Sequence, residues 1–214
     1  MFITLEGIEG SGKTSQVKNI AAFLDNRGRA CLLTREPGGT QIGRRIRQVL
    51  LDPESRDLDP LAELLLYNAD RVQHVRKIIL PAIAAGKVVV CDRYVDATRA
   101  YQGVARNLDI ELVETLHRLL VADLKPDLTL LLDLPPEEGL ARAWAQINSG
   151  SRSDRETRFE KEALAFHTSV REGYLSLAVR EPDRFVVIDA RASIAGVWQQ
   201  IEAVLEKVFE ASSG

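Results

Sequence analysis

Five short apolar runs alternate along the chain with stretches of helical spacing, and this alternation narrows the fold more than any other sequence feature. The runs cover residues 2–5, 30–34, 88–91, 128–134 and 185–188. The helical stretches cover residues 13–27, 41–51, 61–85, 110–122, 137–147, 158–180 and 194–209. Strands joined through helices imply a parallel sheet with right-handed crossovers. The expected fold class is therefore α/β, with a parallel sheet of about five strands flanked by helices. A length of 214 residues, with no repeat and no Pro- or Gly-rich linker, predicts one domain over residues 1–214. In such sheets ligands bind beyond the carboxyl ends of the strands, so the residues that follow each strand carry the functional signal.

Directly after the first run stand Gly7, Ile8, Glu9, Gly10, Ser11, Gly12, Lys13 and Thr14. They fit the phosphate-binding pattern G-x-x-x-x-G-K-[ST] in its strand-to-helix setting. The glycines let the backbone curl so that successive N–H groups face one anion, and the following helix adds its positive end. Lys13 can reach the β- and γ-phosphates of ATP, and the Thr14 hydroxyl can ligate the magnesium that accompanies it. A flexible strand–helix turn is the bland alternative, but the fixed positions coincide by chance in only about one such chain in a hundred. A GTP switch is disfavoured, because N-K-x-D is absent and the one D-x-x-G, Asp25 to Gly28, falls at a helix end.

The second strand ends in TREPGGT, Thr34 to Thr40, and the third in DRY, Asp92 to Tyr94. Each sets an arginine beside the phosphate loop. An acceptor monophosphate brings a charge near -2, which forked guanidinium donors match well. Arg35 and Arg93 are the candidate clamps, with ion pairing to Glu36 and Asp92 as the alternative. Asp92 is a candidate to hold a magnesium-bound water or to orient Arg93, and a structural carboxylate is the alternative there. Residues 148–157, NSGSRSDRET, contain no apolar residue and two arginines, which reads as a mobile polar loop between helices, or as an ordinary exposed connection.

With 28 basic and 31 acidic residues the net charge is -3, so no global field recruits nucleic acid or an anionic membrane. The N-terminus lacks the basic start and long apolar stretch of a signal peptide, and no run approaches a membrane span. A soluble cytoplasmic protein is expected. Cys31 and Cys91, each inside an apolar run, read as reduced core thiols.

GIEGSGKT, TREPGGT, ELLLYNADRVQHV and DRYVDATRAYQG together resemble bacterial-type thymidylate kinases. PDLTLLLDLPPEEGLARA and FEKEALAFHTSVREGYLSLA resemble them too, so the likeness covers nearly the whole chain. The resemblance implies a P-loop nucleoside monophosphate kinase fold with a short lid at about residues 148–157. It also implies phosphorylation of dTMP to dTDP by ATP and magnesium in dTTP biosynthesis, and a homodimer packed through helices. The apolar faces within 61–80 and 112–120 suit such a dimer, and core burial explains them equally well.

Carried over by position, the resemblance implies that Tyr67 stacks on thymine and Arg71 hydrogen-bonds its edge. Thr98 and Gln102 become base contacts and Tyr101 lies against the deoxyribose; core or helix packing is the alternative for each. Arg35, Glu36, Pro37 and Arg93 join them on the acceptor side. Residues 7–14 and Arg142 form the donor side, with a helix-surface charge as the alternative for Arg142. Glu9 stands where some relatives carry a basic residue, and the resemblance implies that it meets the sugar 3′-hydroxyl. Lid arginines, Arg152 and Arg155 with Arg158 as a third candidate, then supply the missing cation beside Lys13, Asp92 and Arg93. The acceptor's second pKa near 6 leaves its phosphate oxygen largely ionised, so no strong general base is required. Departures from the family pattern are Ala97 for serine, Tyr67 for phenylalanine and Thr157 for aspartate. The competing readings are another monophosphate kinase, a deoxynucleoside kinase, and a regulator that only binds nucleotide.

Overall fold

The computed structural model describes residues 1–151 and 153–211. Arg152 lies outside the described residues. The strands are β1 (Phe2–Glu6), β2 (Cys31–Arg35), β3 (Val88–Asp92), β4 (Leu128–Asp133) and β5 (Phe185–Asp189). They form one all-parallel sheet in the order β2-β3-β1-β4-β5. The helices are α1 (Lys13–Asn26), α2 (Gln41–Leu51), α3 (Pro60–His74), α4 (Leu80–Ala84), α5 (Val95–Thr98), α6 (Ile110–Val121), α7 (Pro136–Asn148), α8 (Leu164–Arg180) and α9 (Ile194–Ala211).

β1 is central and buried along its whole length. Its side chains alternate between two cores, which explains why the strand reads as a continuous apolar run. Ile3, Leu5 and Val90 share one core with Ile20 and Leu24 of α1 and Ile201 and Leu205 of α9. Phe2, Val89 and Cys91 pack on the other face with Val75, Ile79 and Tyr94. The edge strands are wetter, with Leu33 and Val187 exposed. Both cysteines are free thiols, Cys91 buried and Cys31 half-buried. Among the described residues no helix is long and apolar enough to cross a membrane.

Helix starts follow local chemistry. Thr40 caps α2 by accepting from Gly43 N–H at 2.9 Å. Asp59 caps α3 ahead of Pro60, whose missing N–H costs nothing at that position. Asp109 caps α6 through Glu111 N–H.

Three expectations are corrected. The helix expected over 158–180 begins only at Leu164, because the preceding residues are anchored by tertiary contacts. Arg158 donates to Leu50 O at 3.2 Å and lies 2.6 Å from Glu63 Oε2, while Phe159 sits edge-on to Tyr101. The helix expected over 61–85 is not uniform: α3 widens into a π-helical stretch at Val75–Ile79 before α4. Pro81 has no N–H to donate, and the wide turn takes up that misfit. Residues 95–105, given no helix on sequence grounds, form α5 and a π-helical stretch at Arg99–Ala105 packed against α8. β-Branched Val95 and Thr98, with Gly103, weaken the local helix signal there, and packing supplies the difference.

Candidate active site

β1 connects through α1 to one side of the sheet and β3 connects onward to the other. The crevice between their carboxyl ends is the switch point at which open α/β sheets bind ligands. Register brings Glu6, Arg35, Asp92 and Asp133 to this end.

The loop after β1 curls through Gly7, Gly10 and Gly12 at φ 133°, 70° and 94°, values that side chains rarely tolerate. A Cβ on Gly10 would run into the Gly139 carbonyl oxygen of α7, and one on Gly139 would stand 2.6 Å from Glu9 O. Ile8 is buried against the same glycine. α1 opens at Gly12 with no side-chain cap, so its first N–H groups are left for an anion. Lys13 Nζ donates to Gly7 O (2.9 Å), Ile8 O (2.8 Å) and Ser11 Oγ (3.2 Å). Burial, reinforced by Arg93, pulls the Lys13 pKa down to about 8 against the opposing pull of Asp92, Glu9 and Glu6. Thr14 is exposed on the first turn of α1, and Asp92, half-buried at the end of β3, acts on the charge of Lys13.

A hydrogen-bonded chain runs beneath the loop. Arg93, at φ 69°, donates from Nη2 to Glu9 Oε1 at 2.8 Å and from Nη1 to Tyr174 OH at 3.2 Å. Tyr174 OH donates to Glu6 Oε2 at 2.7 Å, and Tyr94 N–H donates to Glu6 Oε1 at 2.7 Å. Tyr101 OH also donates to Glu9 Oε1, at 2.6 Å. Burial would raise the Glu9 pKa, but Arg93, His167 and Lys13 together hold it well below the carboxylate range. Glu6 lacks that surplus of cations: burial and Asp96 push its pKa up to about 8.

On the β2 side, Glu36 Oε2 accepts from Arg71 Nε at 2.9 Å and its Oε1 lies 2.8 Å from His74 Nδ1. Arg71 Nη2 donates to Thr98 Oγ1 at 2.7 Å. Gln102 Nε2 donates to Glu63 Oε1 at 2.6 Å, and Glu63 faces Arg158 and Arg106. Tyr67 is partly buried against the main core, where burial raises its pKa. Ala97 also packs on that core. Pro37 is buried and its carbonyl accepts from Arg47 Nη1 at 3.1 Å.

The ion pairs weighed as alternatives fall elsewhere. Glu36 pairs with Arg71 and His74, leaving Arg35 exposed at the strand end, and Arg93 pairs with Glu9. Arg142 is partly buried, with Nη1 on Ala190 O at 2.9 Å. Arg155 is exposed on the turn Asp154–Glu156, which Arg47 grips through Glu156 at 2.7 and 3.0 Å. Thr157 is buried and donates to Asp154 O. Arg158 is spent on Leu50 O and Glu63. Sequence reasoning missed Glu6, Gly139, His167 and Tyr174. An acidic residue closing an apolar strand was a signal for Glu6; the others depend on contacts between distant segments.

A family model described as thymidylate kinase matches residues 5–201. The chain belongs to the thymidylate kinase family. It is 57% identical over 208 residues to the thymidylate kinase of Desulfosudis oleivorans, covering 97% of each chain. It is 51% identical over 204 residues to that of Geobacter sulfurreducens, covering 95% of each. The crystal structure of thymidylate kinase from Ehrlichia chaffeensis superposes with a TM-score of 0.75 at 34% identity, covering 96% of this chain and 98% of that one. Thymidylate kinases are ATP-dependent nucleoside monophosphate kinases that phosphorylate dTMP to dTDP in nucleotide synthesis. The five-stranded parallel sheet and its loop after β1 are the P-loop kinase architecture of that family.

Proposed function

We propose that this chain transfers the γ-phosphoryl group of ATP to dTMP in the crevice between β1 and β3. The observation that carries the reading is the Arg93–Glu9 ion pair, where the arginine that follows β3 meets the phosphate loop itself. Donor and acceptor machinery then share one contact. Residues 7–14 and Arg142 hold ATP; Arg35, Glu36, Pro37, Arg71, Arg93, Thr98, Tyr101 and Gln102 form the dTMP site with Glu9, and Tyr67 stacks on the base. The acceptor oxygen is already ionised, so catalysis consists of positioning and charge neutralisation by backbone N–H groups, Lys13, Arg93 and the lid arginines Arg152 and Arg155.

Magnesium fits the donor set. The Thr14 hydroxyl and the Asp92 carboxylate, directly or through water, offer the oxygen ligands that a hard cation bound with nucleotide takes. Bound there, it supplies positive charge to the phosphate oxygens. We further propose one domain over 1–214 with a lid at about 148–157, a homodimer, no nucleic-acid or membrane partner, and a cytoplasmic location. The free thiols suit a reducing compartment.

The test is ADP release with each common nucleoside and monophosphate as acceptor. dTMP should give the highest kcat/KM, and Lys13→Ala should lower kcat by about 10²–10³-fold with the fold intact. Phosphorylation of thymidine in preference to dTMP would identify a deoxynucleoside kinase, and ATP binding with no acceptor-dependent ADP would identify a regulator.

A further inference from the structure

The two oxygens of Glu9 are used unequally. Oε1 accepts from both Arg93 and Tyr101, whereas Oε2 is buried with no hydrogen-bond partner. His167 of α8 is completely buried beside it, and neither of its ring nitrogens has a hydrogen-bond partner. Its Nδ1 lies 3.2 Å from Glu9 Oε2, close enough to pair but not aligned as a hydrogen bond. Buried polar atoms left unpaired are costly; here Glu9 Oε2 and His167 Nδ1 face each other without forming an aligned hydrogen bond, and His167 Nε2 has no partner either. The Phe166 ring packs against the imidazole, the two planes nearly perpendicular and the centroids 5.5 Å apart. A purely structural histidine in such a place would satisfy at least one nitrogen on its own surroundings.

We propose that His167 is a positioning residue that donates from Nδ1 to Glu9 Oε2 when the acceptor enters, and so aims that oxygen at the sugar 3′-hydroxyl. A carboxylate oxygen has two lone pairs, so Oε2 can accept from the imidazole and from the sugar at once. Arg93 and Tyr101 hold the other oxygen, and the three donors together fix the plane of the carboxylate. The proposal rests on the reading of Glu9 as the sugar contact.

The experiment compares kcat/KM for dTMP with kcat/KM for its 3′-deoxy analogue in wild type and in the variants Glu9→Ala, His167→Phe, His167→Asn, His167→Gln and the double variant Glu9→Ala/His167→Phe. His167→Phe should lower the dTMP preference by about ten-fold, the worth of a hydrogen bond to a charged group. His167→Asn, whose amide nitrogen falls near the position of Nδ1, should restore most of it; His167→Gln, which reaches toward the position of Nε2, should not. The double variant should be no worse in preference than Glu9→Ala alone. If Glu9→Ala collapses the preference and His167→Phe leaves it unchanged, the role of His167 is overturned while the Glu9 reading stands. If Glu9→Ala itself leaves the preference unchanged, both fall. Should His167→Phe not fold, nitrogen-15 resonances of the three histidines in the wild-type enzyme with dTMP decide the matter. A hydrogen-bonded Nδ1–H on His167 that shifts in Glu9→Gln supports the proposal, and an Nε2–H tautomer indifferent to Glu9 overturns it.

Discussion

Glu6 closes the central strand with a carboxyl group whose two oxygens face only Tyr94 N–H and Tyr174 OH, with the cation of Arg93 one step away. Its folded pKa near 8 lies above the ordinary carboxylate value, so its contribution to stability is full at low pH and is lost as pH rises toward 8. Asp70, pushed up to about 6, has nearly finished its change by about pH 7, whereas His117, pulled down to about 4, and Lys13, pulled down to about 8, act in the opposite sense and more weakly across the neutral range. Between pH 6.5 and 8 the stability of the unliganded enzyme should therefore fall, by at most about 1.4 kcal/mol per pH unit. Urea unfolding of wild type and Glu6→Gln checks this. The fall should be lost in the variant, where Lys13 and His117 leave a shallow rise, and parallel curves would show that Glu6 is already ionised when folded. At this scale the placement of the loop after β1, Arg35 and Arg93 at the carboxyl ends of the strands was legible in the sequence, because Arg35 closes its strand and the other two follow theirs directly. Glu6 and His167 were not, since their roles depend on partners brought in from α8 and from the loop after β1.

Among the elements, α7 approaches the phosphate loop at a glycine-to-glycine contact. Replacing a helical glycine by alanine ordinarily gains about 1 kcal/mol. At Gly139 the added methyl would meet Glu9 O at 2.6 Å and Ile8 Cδ1 at 2.7 Å, so the loop or the helix has to move. Gly139→Ala should lower kcat/KM on the order of a hundred-fold, because a displacement near 1 Å misplaces the reacting groups. Its melting temperature should fall too. Steady-state kinetics beside thermal unfolding check this, and wild-type kinetics with a raised melting temperature would show that the contact is soft. Strands were easy to read at this scale because burial on both faces leaves uninterrupted apolar runs. The helix over 95–105 and the late start of α8 were hidden because tertiary contacts, centred on Phe159 and Tyr101, decide them.

Across the whole molecule, α3 packs against α2 and α6, and each of the three leaves apolar side chains outward at helical spacing. Ile42 and Val49 on α2, Leu61 and Leu65 on α3, and Leu112 and Leu119 on α6 are all exposed in the single chain. Neighbouring stripes of this kind suit the proposed two-fold helical interface. Leu65→Asp should convert a dimer to a monomer in sedimentation velocity at micromolar concentration while leaving the circular dichroism spectrum unchanged. A wild-type chain that sediments as a monomer would remove the dimer. The sequence carried the apolar stripes but could not separate an interface from a core, because both present the same spacing.

The pairing of Arg71, Arg93 and Arg158 with Glu36, Glu9 and Glu63 has a consequence for how the enzyme tells a nucleotide from a nucleoside. Each of these three arginines is matched by a carboxylate before any ligand arrives, so the pairs themselves carry no net charge toward an incoming group. Entry of a phosphate dianion would upset that balance and create a demand for cations, which the exposed Arg35 and, in the proposed lid, the exposed Arg155 are placed to meet. Thymidine would bring no such charge to the proposed site, and would leave the proposed lid arginines without a partner. Under the proposed assignment, the matched pairs would thus act as a gate keyed to the acceptor's own phosphate.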